Sequence, residues 1–216
     1  MHKVLVVAAH PDDELLGIGG IVIRHVQAGD EVRSVIMCEG ESLRYGGDVG
    51  QPQAIAEAAQ IMGVSKVYHL KFPDQKLDTY TLTELITPLE EISEEFKPDI
   101  IYCQSGCDIN RDHRILFEAA EVAFRPTSEW VREFYGFYTA SSTEWGFPRN
   151  FVPDTWIDIS AVLETKIKAF EAYHSEVREY PHPRSSESLR HQAHFWGNQC
   201  CMDAAEVLMT IRRIER

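Results

Sequence analysis

Residues 3–9 (KVLVVAA) form an unbroken apolar run of strand length, rich in valine and followed at once by polar residues. A strand apolar on both faces belongs to a parallel sheet covered by helices. Over residues 15–27 the apolar positions Leu15, Ile18, Ile21, Val22 and Val26 recur at helical spacing, and Ala28-Gly29-Asp30 reads as a stop. Residues 31–38 (EVRSVIMC) predict a second strand, ended by Glu39-Gly40-Glu41, which opens a polar loop reaching about Pro52. An alanine-rich helix over 53–62, closed by Gly63, leads to a third strand at 66–70 (KVYHL). A helix over 82–96 carries a kink point at Pro88 and stops before Pro98, and a fourth strand follows at 100–104. The remaining pattern predicts a helix over 115–124, strands at 134–139 and 156–159 (the second at a sheet edge), and helices over 161–173 and 189–213.

Strands alternating with helices indicate βαβ units and a mainly parallel sheet with right-handed crossovers. No repeat, low-complexity tract or linker interrupts the pattern, so residues 1–216 are expected to form one domain, with residues 173–188 a surface lid. A chain of 216 residues buries enough surface to need no disulfide staples. Its 21 basic and 34 acidic residues give a net charge of −13, a field that repels phosphate backbones and anionic lipid. Nucleic acid and membrane surfaces are therefore excluded as expected partners. Met1-His2-Lys3 runs directly into a strand, and no stretch of about 18 apolar residues follows, so neither a secretion signal nor a membrane span is expected. Five cysteines without secreted-domain spacing predict free thiols in a reducing cytoplasm. Cys103 and Cys107 have metal-ligand spacing but lack a matching second pair.

The chemistry gathers at two polar clusters. The first strand ends in His10-Pro11-Asp12-Asp13-Glu14, and three acids beside one histidine call for an offsetting charge such as a divalent cation. Helix capping by Asp12 and Asp13 is the alternative. The fourth strand leads into Asp108-Ile109-Asn110-Arg111-Asp112-His113-Arg114. Alone, His113 reads as a helix-start residue. In the doubly wound order 3-2-1-4-5, however, strands one and four are neighbours, and ligands bind in the crevice at their carboxyl ends. His10, Asp13 and His113 would then supply two imidazoles and one carboxylate, the ligand count of a catalytic zinc with a position open to water. Asp12 beside that position suits a general base. Asp112, or Asp108, suits an acceptor for the free ring N–H of a ligating histidine, and an N-cap role for Asp112 stays open.

At these residues the sequence resembles the PIG-L/LmbE-like family of zinc N-deacetylases. His10-Pro11-Asp12-Asp13-Glu14, with Leu16-Gly17-Ile18-Gly19-Gly20 behind it, is similar to the family's first signature, and the segment from Asp108 to Arg114 to its second. Further likenesses fall at residues 141–146, at Asp158-Ile159-Ser160 with Lys166-Ile167, and at His182-Pro183-Arg184-Ser185. The resemblance implies a Rossmann-like three-layer αβα sandwich and hydrolysis of an N-acyl, usually N-acetyl, group on a glucosamine-type sugar. It implies one zinc per chain on His10, Asp13 and His113, with Asp12 as base, and iron or cobalt would suit the same ligands. Two positions depart from the family. Many members have a histidine, credited with helping the transition state, at Asn110; asparagine can donate a hydrogen bond there but not a proton. Many carry an arginine at Gln51, for which Arg44, His182 and Arg184 are the candidate substitutes in substrate binding. Arg184 also suits a carboxylate or phosphate on a larger substrate.

Tyr173, His174, Tyr180 and His182 are candidates to stack on a sugar, whereas Phe195 and Trp196 read better as core packing. His191 and His194 are spaced for a second metal but lack a third ligand, and read as a solvated face. A nucleotide-binding reading of Gly17, Gly19 and Gly20 fails, because Val22 stands where the third glycine belongs and three acids would repel a pyrophosphate. Two other readings stay open: an amidase acting on a thiol or malate conjugate, and a non-catalytic, metal-dependent sugar-binding module. A homo-oligomer is also left open.

Overall fold

The computed structural model describes residues 1–41 and 50–215. Seven strands form one sheet: β1 (Lys3–Ala8), β2 (Glu31–Cys38), β3 (Lys66–Phe72), β4 (Ile100–Gln104), β5 (Glu133–Phe137), β6 (Thr155–Asp158) and β7 (Ala205–Arg213). Their order is β3-β2-β1-β4-β5-β7-β6, parallel from β3 to β5, with β7 antiparallel to both β5 and β6. The helices are α1 (Asp13–Gln27), α2 (Gln51–Met62), α3 (Leu82–Phe96), α4 (Arg111–Ala123), α5 (Leu163–Glu171) and α6 (Ser186–Asn198).

Alternate residues of a strand face opposite sides, so the all-apolar β1 feeds two cores at once. Val4 and Val6 join a cluster with residues of α1, α2, α5 and α6, whereas Leu5 and Val7 join one with residues of α3 and α4. The result is the expected three-layer αβα sandwich. Register places Val7 of β1 opposite Cys103 of β4, so the carboxyl ends of these two strands open side by side.

α1 is not a plain helix. Ile18 breaks it at φ −137° and ψ 22°, and the break is stapled by a buried ion pair, Lys166 Nζ to Glu206 Oε1 at 2.7 Å. Glu206 also accepts from Gly20 N at 2.9 Å and Ile21 N at 2.7 Å, while Lys166 donates to Leu16 O at 3.3 Å. Gly20 lets α1 lie against β6's end: a Cβ there would stand 2.7 Å from Ile159 Cγ2. The Gly17-Ile18-Gly19-Gly20 run is thus a packing device.

Three expectations are corrected. The helix expected over 189–213 ends at Asn198, and β7 follows. Val207, Thr210 and Ile211 are β-branched and fill the gap between β5 and β6, so tertiary pairing overrides a weak helical pattern. α4 begins at Arg111, four residues earlier than expected, which brings His113 into its first turn. The segment from 173 to 188 is no simple surface lid, since Tyr173, Glu176, Arg184 and Ser185 are buried. Among the described residues, no helix is long and apolar enough to cross a membrane.

Candidate metal centre and its surroundings

Two turns aim the site's side chains. After β1, Asp13 N donates to His10 O at 3.3 Å and His10 N donates to Asp13 Oδ2 at 2.8 Å, closing a tight loop around Pro11. Asp12, at the head of α1, sits at φ 97°, a strained conformation of the kind that collects at functional sites. After β4, Asn110 caps α4: its Oδ1 accepts from Asp112 N at 2.9 Å. The cap belongs to Asn110, so the Asp112 carboxylate is free for other work, and the Asn110 amide nitrogen is the donor this side chain has left to offer.

The two turns bring three donor atoms together. His10 Nδ1 lies 3.2 Å from His113 Nε2 and 3.2 Å from Asp13 Oδ2, and His113 Nε2 lies 3.2 Å from Asp13 Oδ2. Ligands about 2.0–2.1 Å from a tetrahedral ion stand about 3.3 Å from each other, so this triangle has the edge that zinc requires. Asp13 Oδ1 is buried without a hydrogen-bond partner among the described residues, a further sign that a cation fits here. Gln104, at the end of β4, braces the triangle by donating to Asp13 Oδ2 at 2.6 Å and accepting from Ala9 N at 2.6 Å.

Behind each imidazole stands a carboxylate. His10 Nε2 lies 3.1 Å from Asp112 Oδ2 and 3.1 Å from Asp74 Oδ1, and His113 Nδ1 lies 3.1 Å from Asp108 Oδ2. Such contacts fix which ring nitrogen faces the front. Asp112 is itself held by Leu77 N at 3.2 Å, and Asp108 by the hydroxyls of Ser142 and Thr143. The charge balance follows. Burial opposes a charged imidazole, but the hydrogen bonds of His10 to Asp112, Asp13 and Asp74 outweigh it and hold its pKa well above the ordinary value. His113 is raised too, since Asp13 and Asp108 outweigh the same burial. Burial likewise opposes ionisation of Asp13, yet His113 and His10 keep it well below the carboxylate range. The pocket is built for positive charge, which a divalent ion supplies without protons.

Asp12 is buried next to this triangle. Desolvation pushes its pKa well up, opposed by Arg184, whose Nη1 lies 3.0 Å from Asp12 Oδ2. Arg184 Nη1 also pairs with Glu176 Oε2 at 2.5 Å, and its Nε donates to Ser141 Oγ at 2.7 Å. Gln51 is buried and donates to Glu176 Oε1 at 3.4 Å, so it reaches the same network through Glu176. Burial lifts Glu14 to about 7, opposed by the hydroxyl of Tyr173, which donates to it at 2.7 Å.

Thus the structure brings His10, Asp13 and His113 together, with Asp112 behind His10, Asp12 next to Asp13 and paired with Arg184, and Asn110 capping α4 just ahead of His113. His182 stands aside: its Nδ1 accepts from Arg184 N at 3.0 Å and its ring meets Trp145 edge-on at 6.3 Å. Arg44 lies outside the described residues. Cys103 and Cys107 join no potential metal cluster among the described residues, nor do His191 and His194. A second group, His10, Cys38 and Asp112, shares the rear of His10, where burial lifts the Cys38 thiol to about 11. Asp74, Gln104 and Glu176 surround the site but are passed over by motif reading, since none of them falls in either of the two polar clusters.

Comparisons with known proteins bear on this geometry. The diacetylchitobiose deacetylase of Thermococcus kodakarensis is 27% identical over 191 residues, covering 82% of this chain and 71% of that protein. An uncharacterized deacetylase, YaiS, of Escherichia coli K12 is 29% identical over 144 residues, covering 64% of this chain and 75% of that one. The crystal structure of a conserved protein, TT1542, from Thermus thermophilus superposes with a TM-score of 0.81 at 25% identity, covering 100% of this chain and 97% of that one. The family model described as PIG-L, GlcNAc-PI de-N-acetylase, matches residues 5–124, the stretch that holds the donor triangle and the carboxylates behind it. With over half its length matched, the chain belongs to the PIG-L family of de-N-acetylases.

Proposed function

We propose that this protein hydrolyses the N-acyl amide, chiefly the N-acetyl amide, of a glucosamine-type sugar or sugar conjugate, with one zinc ion held by His10, Asp13 and His113. The observation that carries the reading is the triangle of donor atoms with 3.2 Å edges, backed by Asp112, Asp74 and Asp108. Bound there, zinc supplies Lewis acidity, which acidifies water and polarises an amide carbonyl. Every other role falls to the chain. Asp12 takes a proton from the attacking water and returns it to the amine nitrogen as the C–N bond breaks. Arg184 holds the Asp12 carboxylate in place through their 3.0 Å pair and restrains its ionisation state. Asn110 offers its amide N–H to the developing oxyanion. Burial of Asp12, Asp13 and Glu14 keeps water from screening these charges. A reducing cytoplasm suits the five thiols, all unpaired.

The test is release of free amine from N-acetylglucosamine and its conjugates, with and without a chelator. Chelation should abolish release and added zinc restore it. Asp12→Asn should keep about one metal ion per chain while turnover falls about 10²–10⁴-fold, the range for a lost general base. Full turnover in this variant would reassign the base. Sugar binding with no chelator-sensitive release would favour the non-catalytic module instead.

A further inference from the structure

Beside the donor triangle lies a second cavity, of about 480 Å³, walled by Tyr138, Trp145, Phe151, Phe195 and Trp196 and edged by Arg149. Three observations tie it to substrate. First, it shares a wall with the metal centre. The Thr143–Trp145 turn lines the cavity, while on its other side Thr143 Oγ1 donates to Asp108 Oδ2 at 2.9 Å, and Asp108 stands behind His113. The preceding Ser141 accepts from Arg184, the partner of Asp12, at 2.7 Å. One turn of chain therefore stands between this cavity and the carboxylate behind His113.

Second, its aromatic walls are left for something outside the fold. Trp145 is 51% exposed and Phe195 58%, against the expectation that Phe195 packs in the core. They are nonetheless held in place. Tyr138 meets Phe151 edge-on at 5.6 Å and Trp196 at 6.0 Å, and Phe195 meets Trp196 at 4.9 Å. Glu144 is fixed by the backbone N–H groups of Ser141 at 2.7 Å and Ser142 at 3.1 Å, and it bonds the Tyr138 hydroxyl. Preformed aromatic faces interleaved with a handful of placed polar groups, here Thr143, Glu144, Arg149 and Gln192, are the ordinary make-up of a small-molecule pocket. Third, the guanidinium of Arg149 has no ion pair or hydrogen bond among the described residues. In a chain of net charge −13, a free cation at the mouth of an aromatic pocket marks where an anionic group is received.

We propose that this cavity is the subsite for the aglycone, and that the substrate is a conjugate whose aglycone presents a ring or apolar face to Trp145 and a carboxylate to Arg149. This rests on the reading that the donor triangle receives the N-acylated sugar. It narrows that reading from amino sugars in general to anionic, ring-bearing conjugates.

The test is calorimetric binding of three probes to zinc-loaded protein carrying Asp12→Asn, so that no probe is consumed. The probes are N-acetylglucosamine, its phenyl β-glycoside and its 4-carboxyphenyl β-glycoside. We expect the carboxyphenyl glycoside to bind at least about tenfold more tightly than the sugar, roughly the worth of one stacked ring or one charge-assisted contact. Trp145→Ala should remove that advantage and Trp145→Phe restore much of it. Arg149→Gln should weaken the carboxyphenyl glycoside by about tenfold and the phenyl glycoside less, because a charge-assisted bond is lost only with the former. Equal affinities for glycoside and sugar, or affinities untouched by both substitutions, overturn the proposal. So does a change of oligomeric state in Trp145→Ala seen by light scattering, which would assign the surface to contacts between copies of the chain. If wild type binds the carboxyphenyl glycoside preferentially but releases no amine from any probe, the subsite stands and the deacetylase reading falls.

Discussion

Asp112 and Asp108 each hold an imidazole from behind, at 3.1 Å from His10 and His113 respectively. Replacing such a carboxylate loosens ring and tautomer together, and Asp112→Asn is expected to lower zinc affinity about 10–100-fold. Competition titration against a chelating dye measures this directly, and unchanged affinity would leave Asp74 as the sufficient partner of His10. The proposed metal ligands are legible in the sequence because each stands in a dense polar cluster at the end of an apolar strand. The role of Asp112 is open in the sequence and closes only with the cap belonging to Asn110. Asp74, Gln104 and Glu176 are not legible. Each stands outside the two polar clusters, and only the placing of β3 and β2 beside β1, the pairing of β1 with β4, or the return of the segment around 176 gives it a partner.

The break in α1 is the element on which the metal loop is mounted. Lys166 and Glu206 come from α5 and β7 to satisfy Leu16 O, Gly20 N and Ile21 N across it, deep in the core. Lys166→Met should therefore destabilise the protein by about 3–5 kcal/mol, the cost of leaving a buried charge unpaired. Denaturant unfolding measures the loss, and a change within about 0.5 kcal/mol would show the pair to be dispensable. At this scale the first two-thirds of the chain read well, because all-apolar strands and alanine-rich or amphipathic helices carry unambiguous periods. By sequence, β7 reads as the continuation of α6. Leu208, Met209 and Ile211 continue an apolar pattern, and the chain reversal at Asn198 to Asp203 lacks proline and any strong turn pair. What makes 205–213 a strand is the open edge of β5 waiting for it, and that is not a local property.

Across the whole molecule, β7 is also the piece that keeps the sheet continuous, since β6 has no other neighbour among the described residues. A chain ending at 198 would bare β5 and strand β6, and it should lose native far-ultraviolet dichroism and aggregate on expression. A soluble, zinc-binding product would show that β1 to β5 suffice. Arg184 has a different lesson. Its guanidinium pairs with Asp12 from residue 184, whereas the donor triangle and its supports, from His10 through Asp74 and Gln104 to His113, are encoded in residues 5–124. If the aglycone subsite holds as proposed, the donor triangle and the choice of reactant lie on successive lengths of one chain, joined where Ser142 and Thr143 touch Asp108 and where Arg184 reaches Asp12. On that proposal, drift around Trp145 and Arg149 would retune what is accepted while the donor triangle stays as it is.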